Sequence, residues 1–268
     1  YTWRAKQLSQ PTNDALIIIP RTLGSWILML IVIIGDYLLL DYLYRHGTTS
    51  AIRTPWSQVS NNFFILFALT SFFIIRLLSK PLDKNLALMA IFLHTAILIS
   101  VGYFIYQLGF GFDPFIHRAA EMHIAKWGEL YPKTPFYIGQ YTLVVILNKI
   151  TLISISTIDK LLLPLLEILF LPQLAYCMLH YAFNKEATQA RIGSLLFFLI
   201  PFASFVTTTP YELAAFFGIC IIMYSTLYVF TNTLRAAPLI LIIVAALMVH
   251  PLAGIPAALI AFSAITIK

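Results

Sequence analysis

Charge is scarce in this chain. Only 10% of its 268 residues are Asp, Glu, Lys or Arg, against about 25% in an ordinary soluble domain. With 60% hydrophobic residues and a mean hydropathy of +0.87, the shortage excludes a water-soluble globular fold and implies an integral membrane protein. Cysteine is almost missing too. Cys177 and Cys220 both lie inside apolar runs, so they read as small core residues, not as a disulfide or a metal pair. No internal repeat or low-complexity run is present. A separate signal peptide is not required, because the first apolar span can itself direct insertion. The chain opens at Tyr1 without a Met and stops at Lys268 directly after an apolar span. Both ends therefore read as cut, and further helices or a soluble domain are expected beyond them.

What charge there is leans basic, with 17 Lys and Arg against 11 Asp and Glu. In a soluble protein a formal charge of +6 would suggest nucleic acid. In a membrane protein it reflects Lys and Arg holding cytoplasmic loops in place. The expected partner is the lipid bilayer, and no nucleic acid.

A bilayer-crossing helix needs about 20 mostly apolar residues. Candidate spans are 24–44, 63–78, 86–108, 161–183, 192–206, 213–230, and 238–249 running on towards 267. The last is interrupted by His250-Pro251 and Gly254. Proline lacks a backbone donor and clashes with the preceding turn, so this stretch is one broken helix or two short ones. The expected fold class is an all-α polytopic membrane protein, one transmembrane domain over 1–268 with roughly eight spanning helices.

Orientation follows from Lys and Arg in short loops. Arg4, Lys6 and Arg21 flank the first span, and Arg76, Lys80 and Lys84 surround Pro81. Lys185 and Arg191 lie in 184–191, and Arg235 follows a later span. Placing all of these on the cytoplasmic side puts 109–141, 207–211 and 250–254 outside. One apolar segment must then not cross. Segment 138–156 is the natural choice, since Gly139, Gln140, Thr142, Asn148, Lys149 and Thr151 interrupt it. It reads as an amphipathic helix at the outer interface, within an external loop of about 109–158. Arg45 and Arg53 run against the rule. The expected location is the plasma (inner) membrane, multi-pass, with the polar loop on the non-cytoplasmic side.

The polar loop, GFGFDPFIHRAAEMHIAKWGELYPKTPFYIGQY, gathers Asp113, His117, Arg118, Glu121, His123, Lys126, Glu129 and Lys133. Asp113-Pro114 has the grammar of a helix start, with Asp at the cap and Pro at the first helical position. Gly128 suits a left-handed stop. On such a helix His117 and Glu121 are four apart and share a face with Arg118 beside them. Phe115, Ile116, Ala119 and Met122 form a flank fit to rest on a membrane. Asp113 reads equally as a helix cap or as a catalytic acid. His117, Arg118 and Glu121 read alone as a solvated face. His117 and Glu121 also stand at a metal-ligand spacing, but two groups make a weak site.

GFDPFIHRAAE resembles the first external-loop motif of GT-C membrane glycosyltransferases. It is most similar to the Asp-Pro-aromatic-x-His-x-Arg pattern of oligosaccharyltransferase catalytic subunits. PKTPFYIGQY resembles the proline-aromatic lead-in to the next helix of lipid-linked sugar transferases. The stretch 190–230 resembles a later helix pair whose short external turn carries small residues, a proline and an acid, here Thr207–Thr209, Pro210 and Glu212. The likeness runs over about 86–230, and DPFIH is its motif-grade core.

The resemblance implies a GT-C-like helix bundle and an inverting sugar transfer. The sugar would pass from a polyprenyl-phosphate or polyprenyl-pyrophosphate donor to a glycan, lipid or protein acceptor, on the non-cytoplasmic face of a cell envelope. By position it implies Asp113 as catalytic base or metal ligand and Glu212 as its partner, with Mg²⁺ or Mn²⁺ as the possible cofactor at both. Substrate contacts are expected from His117, Arg118, Glu121, Lys133, Tyr137 and Gln140, and His250, at a broken helix on the same side as Asp113 and Glu212, is expected to contact the lipid phosphate. The chemistry agrees. An acceptor hydroxyl needs a carboxylate to take its proton, and a departing lipid phosphate needs positive charge from Arg118, Lys133, Lys149 or a cation. The sequence departs from the family in two ways: two extra spans precede the motif helix, and a second paired-acid motif is missing. The metal expectation therefore rests on two residues.

Glu167, between Pro164 and Pro172, is a carboxylate at membrane depth, where cost drives it towards a cavity or a partner. Asp36 and Asp41 are expected to pair with Arg45 across a turn. His94 reads as a hydrogen-bonded core residue, and Arg76 as snorkelling to the cytoplasmic surface. Two other function classes remain open. One is a secondary transporter with a midplane site near Glu167 and His250; the other is a non-catalytic membrane assembly subunit.

Overall fold

The computed structural model describes residues 23–130, 135–197, 207–231 and 234–268. Among these residues there are ten α-helices and no β-strand. They are α1 (Leu23–Arg45), α2 (Asn61–Leu78), α3 (Lys84–Ile105), α4 (Asp113–Trp127), α5 (Ile138–Thr151), α6 (Ile155–Cys177), α7 (Ala187–Phe197), α8 (Pro210–Phe230), α9 (Ala237–Val249) and α10 (Pro251–Ile267). Five of them are long and apolar enough to cross a bilayer: α1, α2, α3, α8, and α6 with a π-helical last turn to Ala182. The protein is an all-α polytopic helix bundle.

Two expected spans remain. Segment 192–206 starts inside α7, and residues 198–206 lie outside the described residues. The stretch around His250 is two short helices. Gly254 sits so close to Ala246 that a Cβ would meet backbone at 2.8 Å, which requires the chain to fold back at His250. Thirteen residues of α9 reach about 20 Å, short of the roughly 30 Å hydrocarbon core.

Lipid tails are as apolar as Leu, so helix association in a membrane depends on close packing and on interhelical hydrogen bonds. Both devices are present. Gly254, Ala257, Ala258, Ala261 and Ala264 form the buried stripe of α10, which packs on α8 and α9. In the other half, α1 packs on α2 and α3 around a buried polar chain. Asp36 Oδ1 lies 2.7 Å from His94 Nδ1, and Ser71 Oγ lies 2.9 Å from His94 Nε2. The expectation for His94 holds. That for Asp36 is corrected: Asp41 alone pairs with Arg45, at 2.8 Å, because Asp36 sits on the buried side of α1 facing His94.

Candidate functional site

Helix α4 packs on α5 and α6, and α5 packs on α9. The approach to α9 is tight: Gly139 leaves no room for a Cβ, which would lie 2.7 Å from the Met248 backbone. The residues after Gly139 are thereby held beside the His250 turn. Gly128 ends α4 at φ 76°, as its sequence position predicts.

Asp113 does not cap α4. Phe112 holds the cap position without a side-chain bond, and Asp113 Oδ2 instead lies 3.3 Å from His117 Nε2, one turn on. The Asp113 side chain is 64% exposed and that of His117 only 7%. His117 Nδ1 lies 2.8 Å from the Tyr141 hydroxyl. An imidazole that donates from Nε2 to Asp113 accepts at Nδ1 from Tyr141, and this fixes both the ring and the carboxylate.

His117 and Glu121 are buried, so the solvated-face reading of α4 is corrected. Its polar face is packed against protein, while Phe115, Ala119 and Met122 are exposed on the other flank. Beneath Asp113 lies a second layer. Arg118 Nε donates to Asp159 Oδ2 at 2.9 Å, and Gln140 Nε2 donates to Glu121 Oε1 at 3.1 Å and to the Thr208 carbonyl at 3.4 Å. Glu121 Oε2 and Asp159 Oδ1 are buried and lack a partner among the described residues. Burial, and then the neighbouring charge of Asp159, hold the Glu121 carboxyl well above the usual carboxylate range. A proton kept on Glu121 gives Asp159 a donor and meets both needs. Burial likewise raises the Tyr141 hydroxyl, which stays a donor.

Thr208 joins α8 to this layer. Its hydroxyl accepts from the Leu163 N–H at 3.1 Å and its own N–H donates to the Asp159 carbonyl at 3.3 Å. Leu163 stands one residue before Pro164 and Asp159 five before it, and the missing N–H of that proline disturbs the α6 ladder. Thr207 donates to Glu212 Oε2 at 3.1 Å. Asp113 and Glu212 lie within electrostatic reach of one another, as do Glu212 and Glu167.

His250 joins the site through Tyr137. Its Nδ1 accepts from the Ala253 N–H at 3.3 Å, which starts α10. Its ring stacks on Tyr137 at 5.3 Å and meets the edge of Tyr211 at 5.9 Å. Tyr137 in turn lies edge-on to His117 at 5.3 Å.

Of the residues expected from sequence, Asp113, His117, Tyr137, Glu212 and His250 thus gather at one end of the bundle. Arg118, Glu121 and Gln140 form the braced layer below. Lys133 lies outside the described residues, and Lys149 is exposed near the far end of α5. Sequence reasoning gave no role to Asp159, Tyr141 or Tyr211, and named Thr208 only within the turn 207–209. The first was hidden because the span was begun at residue 161; an Asp five residues before a mid-helix proline was the available signal. Among the described residues, no three His, Cys, Asp or Glu side chains converge to hold a metal.

Compared with protein-family models, curated proteins and solved structures, the chain matches none of the three. The functional reading rests on the site itself.

Proposed function

We propose that this protein is a GT-C-type membrane glycosyltransferase. It moves a sugar, with inversion, from a polyprenyl-phosphate-linked donor to an acceptor on the non-cytoplasmic face of the plasma membrane. The observation that carries this reading is the Asp113–His117 pair. One exposed carboxylate, oriented by a buried imidazole, sits beside Glu212 and an aromatic wall of Tyr137, Tyr211 and His250.

Such a carboxylate suits an acceptor hydroxyl. The hydroxyl oxygen attacks the anomeric carbon from the face opposite the leaving group, Asp113 takes the proton, and the lipid phosphate departs with the electron pair of the broken bond. His117 holds Asp113 in place and Glu212 orients the acceptor. The aromatic wall offers ring faces to a sugar. Two carboxylates fit Mg²⁺ or Mn²⁺ only within a set completed by phosphate and water. Bound at Asp113 and Glu212, such an ion would neutralise charge on the departing phosphate.

The test is donor turnover by purified protein, offered a panel of polyprenyl-phosphate sugars with and without Mg²⁺ or Mn²⁺. Wild type is expected to release lipid phosphate, and Asp113→Asn to lose that release. Equal turnover by a folded Asp113→Asn protein would overturn the assignment.

Glu167 favours a second reading, a secondary transporter. It is 2% exposed within α6, and its Oε1 has no partner among the described residues. Loss of uptake in Glu167→Gln, with Asp113→Asn tolerated, would select that reading. Tolerance of both changes with intact complex formation would instead select an assembly subunit.

A further inference from the structure

A separate cavity of about 240 Å³ opens where α1 and α3 end and α6 begins. It is lined by Tyr44, Tyr103, Phe104, Gln107, Thr157 and Lys160. Glycosyl transfer as proposed above uses none of these residues. The rim is built rather than loose. Thr48 and Tyr106 form a parallel bridge, with the Thr48 N–H donating to the Ile105 carbonyl at 2.9 Å and the Gln107 N–H to the Thr48 carbonyl at 3.2 Å. Gly47 lets the two segments close up, since a Cβ there would lie 2.6 Å from the Phe104 carbonyl oxygen and 2.9 Å from Gln107 Nε2.

Charge at this cavity has one sign. Lys160 Nζ donates to the Gln107 backbone oxygen, which spends one of its three donors and leaves two for a ligand. Another cation, Arg118, lies within electrostatic reach, and Arg118 is already committed to Asp159. The ammonium therefore lacks a carboxylate partner among the described residues, next to the Thr157 hydroxyl and the Gln107 amide. The other walls are aromatic. Tyr44 is 71% exposed, as a residue at a membrane surface can be, and such amphipathic rings prefer the headgroup level.

We propose that this cavity binds a phosphate monoester, with Lys160 taking the phosphate oxygens, Thr157 and Gln107 supplying further hydrogen bonds, and the aromatic walls holding the organic part. The cavity lies at the ends of three of the long apolar helices, α1, α3 and α6, and a lipid headgroup at a membrane surface would present such a group there. The inference does not depend on the sugar-transfer reading, because it needs no reaction.

The test uses the full chain purified in a zwitterionic detergent and titrated calorimetrically with dioctanoyl phosphatidate, dioctanoyl phosphatidylcholine and inorganic phosphate. Phosphatidate is expected to bind and phosphatidylcholine, a diester, is not. Lys160→Met should weaken phosphatidate at least about tenfold, the loss of one charge-assisted bond, while Lys160→Arg retains it. Thr157→Val, which keeps the shape of the helix start, should give a smaller loss in the same direction. Inorganic phosphate binding that also falls in Lys160→Met would support the phosphate chemistry with a free phosphate as its source. Failure of both phosphatidate and phosphate to bind wild type would overturn the proposal, as would unchanged affinity in folded Lys160→Met and Thr157→Val proteins.

Discussion

Arg118 and Asp159, 41 residues apart in the chain, meet at 2.9 Å beneath the surface helix α4. The pair ties α4 to the first turns of α6, and both side chains are largely buried, at 14% and 4% exposure. Removing one partner strands the other charge, at a cost of about 3–5 kcal/mol. Arg118→Met and Asp159→Leu are each expected to lower stability by that order. The double variant should lose less than the sum of the two. Denaturant unfolding in detergent measures the cycle, and strictly additive losses would show that the two groups do not interact.

Glu121 makes stability depend on pH. Its folded carboxyl is raised above the ordinary 4.5 by burial first and by the Asp159 charge second. Below that ordinary value both states hold the proton and the group contributes no slope. Above it the unfolded chain loses the proton while the folded chain keeps it, so this contribution falls as pH rises. The slope is at most about 1.4 kcal/mol per pH unit for one proton. Glu121→Gln keeps the shape and removes the titration. Its unfolding free energy should fall less steeply than wild type between pH 5 and 9. Parallel profiles would mean that Glu121 is ionised when folded.

The bundle was legible in the sequence because a lipid-crossing helix leaves a long apolar run, and α1, α2, α3, α6 and α8 each left one. The gathering of Asp113, His117, Tyr137 and His250 was half legible: the DPFIH motif marked α4, and the His250-Pro251 break marked the turn opposite. Asp159 was not legible, because its role comes from Arg118 reaching across from another helix. Nor was the burial of Glu121. A polar face on a short amphipathic helix reads as wet unless the partner on the far side is known, and here that partner, Gln140, arrives by the tight crossing at Gly139.

The buried chain Asp36–His94–Ser71 should behave as an interhelical lock. Ser71 Oγ donates to the Phe67 carbonyl at 2.8 Å, so it accepts from His94 Nε2, and Asp36 meets the other nitrogen. His94→Ala strands Asp36 and opens a cavity, and a loss of about 3–5 kcal/mol is expected. Ser71→Ala removes one neutral link and should cost about 1 kcal/mol. Asp36→Asn should fall between them. Thermal unfolding of the three variants gives the order; a Ser71→Ala loss as large as that of His94→Ala would show that the hydroxyl, not the imidazole, holds the helices.

Tyr141 separates orientation from chemistry. Its ring is fully buried and its hydroxyl holds His117 Nδ1, while Asp113 meets the other ring nitrogen, Nε2. Tyr141→Phe keeps the packing and frees the imidazole to turn. With turnover as the readout, kcat is expected to fall roughly tenfold, the worth of one orienting hydrogen bond, with KM little changed. His117→Ala should fall further, by about a hundredfold, since Asp113 then lacks its anchor and a positioned base contributes on that scale. A Tyr141→Phe protein that raises KM and spares kcat would assign the hydroxyl to substrate binding and break the relay from Tyr141 through His117 to Asp113.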